Sequence, residues 1–507
     1  MSKSGTVYLV GAGPGDAGLL TLRGAELLRR ADVVIYDALV NHSILQLAPA
    51  TAEIIFGGRR AKDAKDNRPD VIEQLMAKAR EGKTVVRLKG GDPYVFGRGG
   101  EEAEQLHDAK IPFEVVPGVS AFAAVPNYAG IPLTHRDHCS QLTILTGHDD
   151  PDSKDSVVNW AAEAKNPGTK VVMMGTERVG QIATTLIANG MAKTTPVAMV
   201  SWGTTGRQQS LTGTLADIGE LAAKTKLPPP TVTIIGDVVK LRKKLNWFEH
   251  RPLFGQRIVV TRTREQAAEL AHQFTELGAD VLEIPCIKRT APSQPQYLLD
   301  AMLELNSYEW LVFTSPNGVT AFFEYFFRAF KDLRDIGGVK IAAVGPATAA
   351  KLRELHLQVD LMPAEATGAK IAKEFSKFET VENLKFCLLR AEKANPDLPK
   401  ALEELGGIVD DIPVYQTVAE STAATPASEK LLDVGADWIT FTSGSTVEHF
   451  HARFNLPALL KKFSKTKLAS IGPETTKAIE ALGLKSTVEA KDHTMEGLVT
   501  AVLKTKC

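Results

Sequence analysis

Short apolar runs alternate with helical patterns along most of this chain, and this alternation predicts a parallel α/β fold. Residues 7–10 form the first apolar run, and apolar side chains then recur at helical spacing through residues 20–31. A second apolar run, residues 33–36, ends at Asp37. Open α/β sheets bind ligands beyond the carboxyl ends of their strands. The loop of residues 11–16 is therefore a candidate ligand site.

This loop has the sequence GAGPGD. It is not the G-x-G-x-x-G dinucleotide fingerprint, because its third glycine follows the second by two residues, with Pro14 between them. Pro14 has no backbone N–H and a fixed φ, so the loop suits a ligand held by shape and carbonyl groups better than a pyrophosphate. A nicotinamide cofactor is disfavoured. From the loop alone, a plain tight turn and a ligand site are equally open.

Two later strands of the first half end in similar loops. Residues 83–89 lead into Gly90, Gly91 and Asp92, and residues 113–116 lead into a PGVSA loop. Glycines let a ligand approach the backbone, and a carboxylate accepts hydrogen bonds from hydroxyl or amino groups. Because the carboxyl ends of parallel strands meet at one edge, we expect these loops to lie together.

A second α/β lobe is predicted further along the first half. Its strand-like runs are residues 170–176, 196–205 and 228–239. Met174 and Gly203 fall at strand ends, although on composition alone a methionine is more often a core residue.

Length and charge restrict the class of protein. A chain of 507 residues is too long for one core, so we expect two to four domains. The net charge of -1 gives no general attraction to nucleic acid or membranes. No apolar run is long enough to span a bilayer and the N-terminus lacks signal-peptide features, so we expect a cytoplasmic protein. The four cysteines lack metal-ligand spacing, which predicts free thiols and no metal site.

Five motifs in the first half coincide in order and spacing with one known family. They are GAGPGDAGLLTL, VVRLKGGDPYVFGRGGEE, VVPGVSA, GIPLTHRD and LNWFE. From about residue 5 to residue 248 the chain resembles the uroporphyrinogen-III C-methyltransferases, which are tetrapyrrole methylases. These enzymes use S-adenosyl-L-methionine and release S-adenosyl-L-homocysteine. The resemblance implies two α/β lobes with the cofactor between them, in a homodimer formed through this half.

The resemblance also assigns roles to matching positions. Asp37 matches the proposed proton acceptor, and Arg59 stands where the family usually has a proton-donating lysine. Arginine stays protonated, so Arg59 is better suited to binding carboxylates than to donating a proton. Nine residues match cofactor contacts: Pro14, Gly90, Gly91, Asp92, Val95, Ser120, Ala121, Met174 and Gly203.

The implied chemistry fits these residue types. Methyl transfer depends on in-line placement, and positioning can contribute on the order of 7–11 kcal/mol. The pyrrole must also lose its N–H proton, which Asp37 could accept. The substrate of the family carries eight carboxylates, so Arg60 and Arg98 are substrate-binding candidates. For Arg98, pairing with Glu101 or Glu102 is an equally open alternative.

The second half contains an internal repeat. Residues 310–319, WLVFTSPNGV, align with residues 438–447, WITFTSGSTV. Residues 341–352 and 468–479 align at nearly the same offset. The repeat predicts two related α/β units whose strands end in T-S and G-P loops before a helix.

Together with residues 389–407 and the DIPVYQT segment, this pattern resembles uroporphyrinogen-III synthase over about residues 255–505. The resemblance implies two doubly wound parallel α/β domains, with the chain passing from one into the other and returning. The expected divisions are a methyltransferase at 1–249, a linker at 250–256 and a synthase at 257–507. Within the synthase, subdomain one is 257–288 plus 416–507, and subdomain two is 289–415.

The synthase family cyclises hydroxymethylbilane with loss of water and inversion of one pyrrole ring. Tyr415 matches its candidate acid, and a half-buried linker aromatic is the alternative. A phenol is a weak acid, so we expect a moderate effect. Loop groups before helix N-termini could receive carboxylates, although ordinary helix capping would explain them equally. These groups are Thr314, Ser315, Asn317, Thr442, Ser443 and Ser445. Arg262, Arg264 and Arg390 are weaker carboxylate candidates.

The sequence thus predicts a bifunctional enzyme of tetrapyrrole biosynthesis. The second half would make uroporphyrinogen III, and the first half would methylate it twice to precorrin-2, towards sirohaem or cobalamin. No dehydrogenase–ferrochelatase segment precedes the methylase pattern, so we expect oxidation and metal insertion to occur elsewhere. The alternatives are a methylase for a later corrin intermediate and a noncatalytic tetrapyrrole carrier in the second half. Channelling between the halves is open.

Overall fold

The computed structural model describes residues 4–58, 70–151, 153, 156–363, 368–420 and 425–506. In these ranges the strands form four five-stranded sheets. The first sheet contains β1 (Val7–Gly11), β2 (Val33–Tyr36), β3 (Glu53–Phe56), β4 (Val85–Lys89) and β5 (Phe113–Val116). Its helices are α1 (Leu22–Arg29), α2 (Val71–Arg80), α3 (Gly99–Asp108) and α4 (Ala121–Tyr128).

All strand pairings in the first sheet are parallel, in the order β3-β2-β4-β1-β5. Strands β1 and β2 are almost continuous apolar runs because helices cover both faces of the sheet, whereas β4 also carries the charged residues Arg87 and Lys89. Strands β4, β1 and β5 are neighbours, so the loops that follow them open at one edge. The prediction from the three glycine-containing and small-residue loops is confirmed.

The second sheet forms a separate lobe of the first half. Its strands are β6 (Leu142–Thr146), β7 (Thr169–Met173), β8 (Pro196–Ser201), β9 (Gln209–Thr214) and β10 (Thr231–Ile235). Its helices are α5 (Trp160–Lys165), α6 (Val179–Ala188), α7 (Ile218–Thr225) and α8 (Arg242–Leu245). The order is β6-β7-β10-β8-β9, and only the β6–β7 pair in this described sheet is parallel.

The second half carries the remaining elements. Its strands are β11 (Arg257–Val260), β12 (Asp280–Glu283), β13 (Ile287–Thr290), β14 (Trp310–Phe313), β15 (Lys340–Ala343), β16 (Lys385–Ala391), β17 (Ile408–Ala419), β18 (Trp438–Phe441), β19 (Lys467–Ser470) and β20 (Val488–Glu489). Its helices are α9 (Arg264–Glu276), α10 (Pro295–Leu303), α11 (Pro316–Ala329), α12 (Pro346–Glu354), α13 (Gly368–Phe378), α14 (Asp397–Glu404), α15 (Pro426–Val434), α16 (Gly444–Phe454), α17 (Leu456–Lys462), α18 (Pro473–Glu480) and α19 (Met495–Lys506).

These strands form two sheets, ordered β12-β11-β18-β19-β20 and β13-β17-β16-β14-β15. The first is parallel throughout, as the sequence predicts. The second differs in one pair, because β13 runs antiparallel to β17, with Ile287 opposite Ala419. These strands adjoin the two crossings between the sheets, so the outgoing and returning chain segments run side by side in opposite directions.

The predicted repeat is confirmed by matching elements in the two sheets. Trp310 and Trp438 are buried, and each begins a strand with a parallel neighbour on both sides. Strand β14 leads into α11, and strand β18 leads into α16. A serine caps each of these helices, so the T-S loops occupy equivalent places.

The two halves of the chain are in close contact at the loop between β8 and β9 of the second lobe. We use "the seam" for residues 202–208 packed against residues 279–283. A Cβ added to Gly206 would lie 2.2 Å from the carbonyl carbon of Ala279, so only glycine permits this approach. The linker packs as well, because the Leu253 amide donates to the Leu277 carbonyl at 2.8 Å. The halves therefore have a tightly fitted contact.

Gly206→Val should lower the free energy of unfolding by about 1–3 kcal/mol, because the new side chain would overlap the backbone of the opposite half. Thermal or denaturant unfolding would measure the loss. Gly338→Val is the matched control, since no atom lies within 4 Å of a Cβ placed there. Equal stability of the two variants would contradict close packing at the seam.

Candidate active sites

Three loops of the first lobe come together at the carboxyl edge of its sheet. Gly13 and Gly91 form a backbone bridge, with N–O distances of 3.2 and 2.8 Å. Their φ values are +77° and +68°, in the left-handed region that favours glycine. A Cβ added to Gly118 would lie 2.2 Å from the Gly91 carbonyl oxygen. These backbones therefore touch without intervening side chains.

The Asp92 carboxylate ties two of the loops together. It accepts hydrogen bonds from the Tyr94 amide at 2.8 Å and the Gly118 amide at 3.0 Å. Each oxygen thus already binds one backbone N–H group, and the carboxylate fixes the relative position of the loops after β4 and β5. Asp92 therefore stabilises the conformation of the loop backbone through its hydrogen bonds.

The second lobe presents a strained loop to the first. Trp202 and Thr204 have φ values of 48° and 67°, which non-glycine residues rarely adopt. Thr204 Oγ1 accepts a hydrogen bond from the Asp16 amide at 3.1 Å. Gly203, between them, has no room for a Cβ, which would lie 2.5 Å from the Val125 side chain. The GAGPGD loop is thus bound to the opposite lobe.

Met174 also adopts a left-handed conformation, with φ 57°, and its side chain is half-exposed. It directly follows β7. A methionine exposed at a strand end is not a core residue, so the composition-based alternative is wrong for this position.

A cavity of about 2260 Å³, which we name the shared cavity, lies between the lobes and extends to the second half of the chain. It is larger than the roughly 300–1,000 Å³ of ordinary small-molecule pockets. Eight of the nine cofactor candidates line it: Pro14, Gly90, Gly91, Val95, Ser120, Ala121, Met174 and Gly203. Asp92 is not among the lining residues, and its two carboxylate oxygens accept from backbone amides of the loops.

Asp37 follows β2 and pairs with a buried arginine. Arg87 Nη2 donates to Asp37 Oδ1 at 2.5 Å, and the Asp37 side chain stays 30% exposed. Arg87 Nε and Lys89 Nζ both contact Glu102 Oε1, at 3.2 and 2.9 Å. The four side chains balance two positive and two negative charges. Arg87 therefore holds Asp37 in place while one face of the carboxylate remains accessible.

Of the three arginines proposed to bind substrate carboxylates, the structure describes one. Arg59 and Arg60 lie outside the described residues. Arg98 is described, and its Nε donates to Glu101 Oε2 at 2.8 Å while its side chain stays 81% exposed. The pairing with Glu101 that the sequence left open is thus present.

Tyr415 lies near the carboxyl end of the long strand β17 and is buried. Its hydroxyl is 3.4 Å from Ser315 Oγ, and Ser315 caps α11 by accepting from the Gly318 amide at 3.1 Å. Buried tyrosine hydroxyls need a polar partner, which Ser315 supplies. Tyr415 and one predicted carboxylate-binding loop are thereby brought together.

The equivalent loop of the other sheet follows β18, and its residue Ser443 caps the N-terminus of α16. Ser443 Oγ accepts from the Thr446 amide and lies 2.9 Å from Ser445 Oγ. The remaining candidates are also partly exposed: Thr314 and Thr442 lie in the two loops, and Asn317 lies in the first turn of α11. Both loops therefore place hydroxyl groups at helix N-termini, where anions are favoured.

Two weaker arginine candidates are engaged within the protein. Arg390 is buried and binds both oxygens of Asp411. Arg262 Nη1 lies 2.7 Å from the Met495 sulfur, and burial lowers the pKa of its guanidinium to about 10. The Arg264 side chain lies outside the described part of the chain.

Within the described ranges, no cluster of three His, Cys, Asp or Glu side chains could hold a metal ion. In the same ranges, no helix is both long and apolar enough to cross a bilayer.

Comparison with known proteins decides the family. A family profile described as tetrapyrrole (corrin/porphyrin) methylases matches residues 6–219, and one described as uroporphyrinogen-III synthase HemD matches residues 268–500. The "Porphyrin biosynthesis protein HemD" of Ruminiclostridium josui is 37% identical, over 99% of this chain and 98% of that protein. The chain belongs to the tetrapyrrole methylase and uroporphyrinogen-III synthase families. It is a fusion of the two, with the methylase first.

Other relatives match the fusion in part. The "Uroporphyrinogen-III C-methyltransferase" of Bacillus subtilis (strain 168) is 37% identical over 76% of this chain and 79% of that protein. A crystal structure of uroporphyrin-III C-methyl transferase from Thermus thermophilus, complexed with S-adenyl homocysteine, is 38% identical. It covers 47% of this chain and 94% of its own, with a TM-score of 0.40.

Sequence reasoning missed the network behind Asp37 in the methylase half. Arg87 and Lys89 are charged residues in an otherwise apolar strand and are almost fully buried. Charged side chains are seldom buried without partners, so their place in the VVRLK run was an available signal. Glu102, which the sequence offers as a partner for Arg98, joins this network instead.

Proposed function

We propose that the methylase half transfers two methyl groups from S-adenosyl-L-methionine to uroporphyrinogen III, giving precorrin-2. The observation that carries this proposal is the position of Asp37, held by buried Arg87 at the same sheet edge as the cofactor loops. The synthase half would supply the substrate by cyclising hydroxymethylbilane. The fused families support a role in tetrapyrrole biosynthesis.

The residues lining the shared cavity fit the proposed methyl donor. Gly91 lines the cavity, and a Cβ placed there would make only ordinary van der Waals contacts, the nearest at 3.8 Å, so no neighbouring atom crowds this backbone. Ser120 precedes α4 without making a side-chain cap, which leaves its hydroxyl for a ligand. Gly90, Gly91, Ser120, Met174 and Gly203 would hold the donor, with Pro14 shaping the loop. When bound, the donor supplies an electrophilic methyl group.

We assign Asp37 the role of proton acceptor for the pyrrole N–H. Its carboxylate is partly exposed, and the buried Arg87 fixes its orientation. General-base assistance of this kind contributes about 10²–10⁴-fold. Arg59 and Arg60, beyond the described residues, would bind substrate carboxylates, and Arg98 would join them by exchanging Glu101 for a substrate carboxylate.

In the synthase half we propose that helix-capping loops bind the carboxylates of the linear tetrapyrrole. Thr314 and Ser315 come from one loop, with Asn317 from the first turn of α11. Thr442 and Ser443 come from the other loop, with Ser445 from the first turn of α16. Tyr415 would donate a proton to the departing hydroxyl, and its contact with Ser315 would orient the phenol. We further propose the division into 1–249, linker 250–256 and 257–507, with 257–288 plus 416–507 and 289–415 as the synthase subdomains.

Tyr415→Phe should slow formation of uroporphyrinogen III about tenfold and raise the fraction of isomer I, because non-inverting closure needs no enzyme acid. Chromatographic separation of the isomers made from hydroxymethylbilane would measure both effects. Tyr297→Phe is the matched control, since Tyr297 is exposed in the same half. An unchanged rate and isomer ratio in Tyr415→Phe would remove Tyr415 from the mechanism.

We also propose a homodimer formed through the methylase half. Large apolar side chains are exposed on its first lobe, with Leu22 at 91% and Tyr94 at 55% exposure. Burial in a partner interface would remove this surface from water. Sedimentation equilibrium tests the proposal: a monomer at micromolar concentration would contradict it.

A coupled assay tests the two proposed reactions. Hydroxymethylbilane and S-adenosyl-L-methionine are supplied together, and the products are separated and weighed by mass spectrometry. The expected result is isomer III carrying two added methyl groups. Isomer I alone would contradict the synthase proposal and fit a carrier. If added uroporphyrinogen III gains no methyl groups, the methylase proposal fails.

A further inference from the structure

Charged residues from both halves converge on one carboxylate at the seam. Asp280, at the start of β12, lies 3.5 Å from Arg207 Nε, 2.8 Å from Arg257 Nε and 2.7 Å from Lys430 Nζ. The Asp280 side chain is only 11% exposed. Arg207 belongs to the methylase half, and the other three residues belong to the synthase half. The cluster is therefore built only when both halves are present.

This cluster is not electrically balanced. Three cations surround a single carboxylate, so an excess of two positive charges remains. Glu283, at the other end of β12, accepts from Gln46 at 3.0 Å, and in the described ranges it forms no ion pair with these three cations. A partly buried cation is costly without an anionic partner. An anion bound beside these cations would therefore offset their excess positive charge.

The donors of two cations are not fully used. Arg207 Nε is buried and has no hydrogen-bond partner among the described residues. In the same ranges Lys430 donates one side-chain hydrogen bond, to Asp280, although an ammonium group has three N–H donors. Burial lowers the pKa of both groups, that of Lys430 to about 8, which is consistent with cations that one carboxylate does not satisfy.

The cluster faces the methylase site. Arg207 and Lys430 line the shared cavity, as do Met174 and Gly203. The Arg207 guanidinium lies 3.9 Å above the Trp202 ring, and Trp202 is adjacent to Gly203. This stacking holds the cation next to the cofactor loop and leaves its edge available for hydrogen bonds.

We propose that Arg207 and Lys430 form a carboxylate-binding site that receives an acidic side chain of the tetrapyrrole during methylation. Asp280 is the positioning residue that holds both cations. This inference rests on the proposed methylase function and adds to it that the synthase half completes the methylase substrate site. A tetrapyrrole with carboxylates on every ring suits such a site, because the part that projects from the methylase lobes still carries charge.

Lys430→Gln in the full chain tests the site. The KM for uroporphyrinogen III in methylation should rise about tenfold, since a charge-assisted hydrogen bond is lost. The kcat at saturating substrate, the affinity for S-adenosyl-L-homocysteine by calorimetry and the yield of isomer III should stay at wild-type values. Lys430→Arg, which keeps the charge, should restore the KM to within about threefold.

Lys461→Gln is the matched control, because it removes one exposed lysine from the same half without touching the seam. A Lys430→Gln variant whose KM equals that of Lys461→Gln would overturn the proposal. So would a Lys430→Gln variant that loses affinity for S-adenosyl-L-homocysteine to the same extent, because this would indicate a purely structural role. Absence of methylation by the wild-type chain would instead refute the proposed function.

Discussion

Asp37→Asn should reduce the rate of methylation by about 10²–10⁴-fold, the usual contribution of a positioned general base. Asparagine has nearly the shape of aspartate and can still accept the hydrogen bond from Arg87. It cannot take up a proton, so it removes the proposed chemistry with little change in geometry. Initial rates with uroporphyrinogen III and S-adenosyl-L-methionine, followed by mass spectrometry of the methylated products, would measure the loss.

Two measurements separate this chemical loss from a loss of structure. Binding of S-adenosyl-L-homocysteine, measured by calorimetry, should be unchanged, and the yield of isomer III from hydroxymethylbilane should remain at the wild-type level. Glu104→Gln is the matched control, since it neutralises an exposed carboxylate of the same lobe. If Asp37→Asn methylates within tenfold of the wild-type rate, another group accepts the proton.

The strands and loops of the first lobe could be predicted from local sequence patterns, because the residues that form each of them are close together in the chain. Apolar runs predict β1 and β4, and the glycines after them are required by backbone contacts such as that between Gly13 and Gly91. The repeat in the second half is equally local, since Trp310 and Trp438 start equivalent buried strands. Each of these features is a short apolar run or a glycine-containing loop that can be recognised within its own segment, without knowing which segment it contacts.

Features that depend on contacts between distant segments could not be predicted from local sequence patterns. Arg207 and Asp280 are far apart in sequence, and neither lies in a motif. Their contact depends on how the two halves pack, which periodicity does not encode. The antiparallel β13–β17 pair is similar, because it follows from the route of the chain between two sheets. The extension of the methylase cavity to the synthase half is therefore visible only in the folded chain.

The network behind Asp37 lies between these cases. Arg87 and Lys89 interrupt an apolar strand, and this interruption is visible in the sequence. Their partners are not, because Asp37 and Glu102 come from a neighbouring strand end and from α3. A buried charge in a strand thus predicts that a partner exists without identifying it.

Gly118→Ala should weaken S-adenosyl-L-homocysteine binding by at least about 100-fold. The added Cβ would lie 2.2 Å from the Gly91 carbonyl oxygen and 2.7 Å from the Gly11 Cα, and all of these neighbours are backbone atoms. No side chain can rotate away, so the loop after β5 must move away from the chain at the ends of β1 and β4. A displacement of about 1 Å at a site can lower the catalytic rate 10²-fold. We expect a comparable loss of affinity here, because the displaced loops hold the donor. Calorimetric titration would measure the affinity.

Gly100→Ala provides the comparison, because it adds the same methyl group to the same lobe with no atom within 4 Å. Gly100 lies in α3, where alanine is favoured over glycine by about 1 kcal/mol, so this variant should bind normally and unfold no more easily. The yield of isomer III reports whether the second half of each variant remains folded. If Gly118→Ala binds as tightly as Gly100→Ala, contact between the three loop backbones is not what shapes the donor site. Weak binding by Gly118→Ala with normal isomer III formation would locate the damage at the edge of the first sheet, where the GAGPGD loop meets its two neighbours.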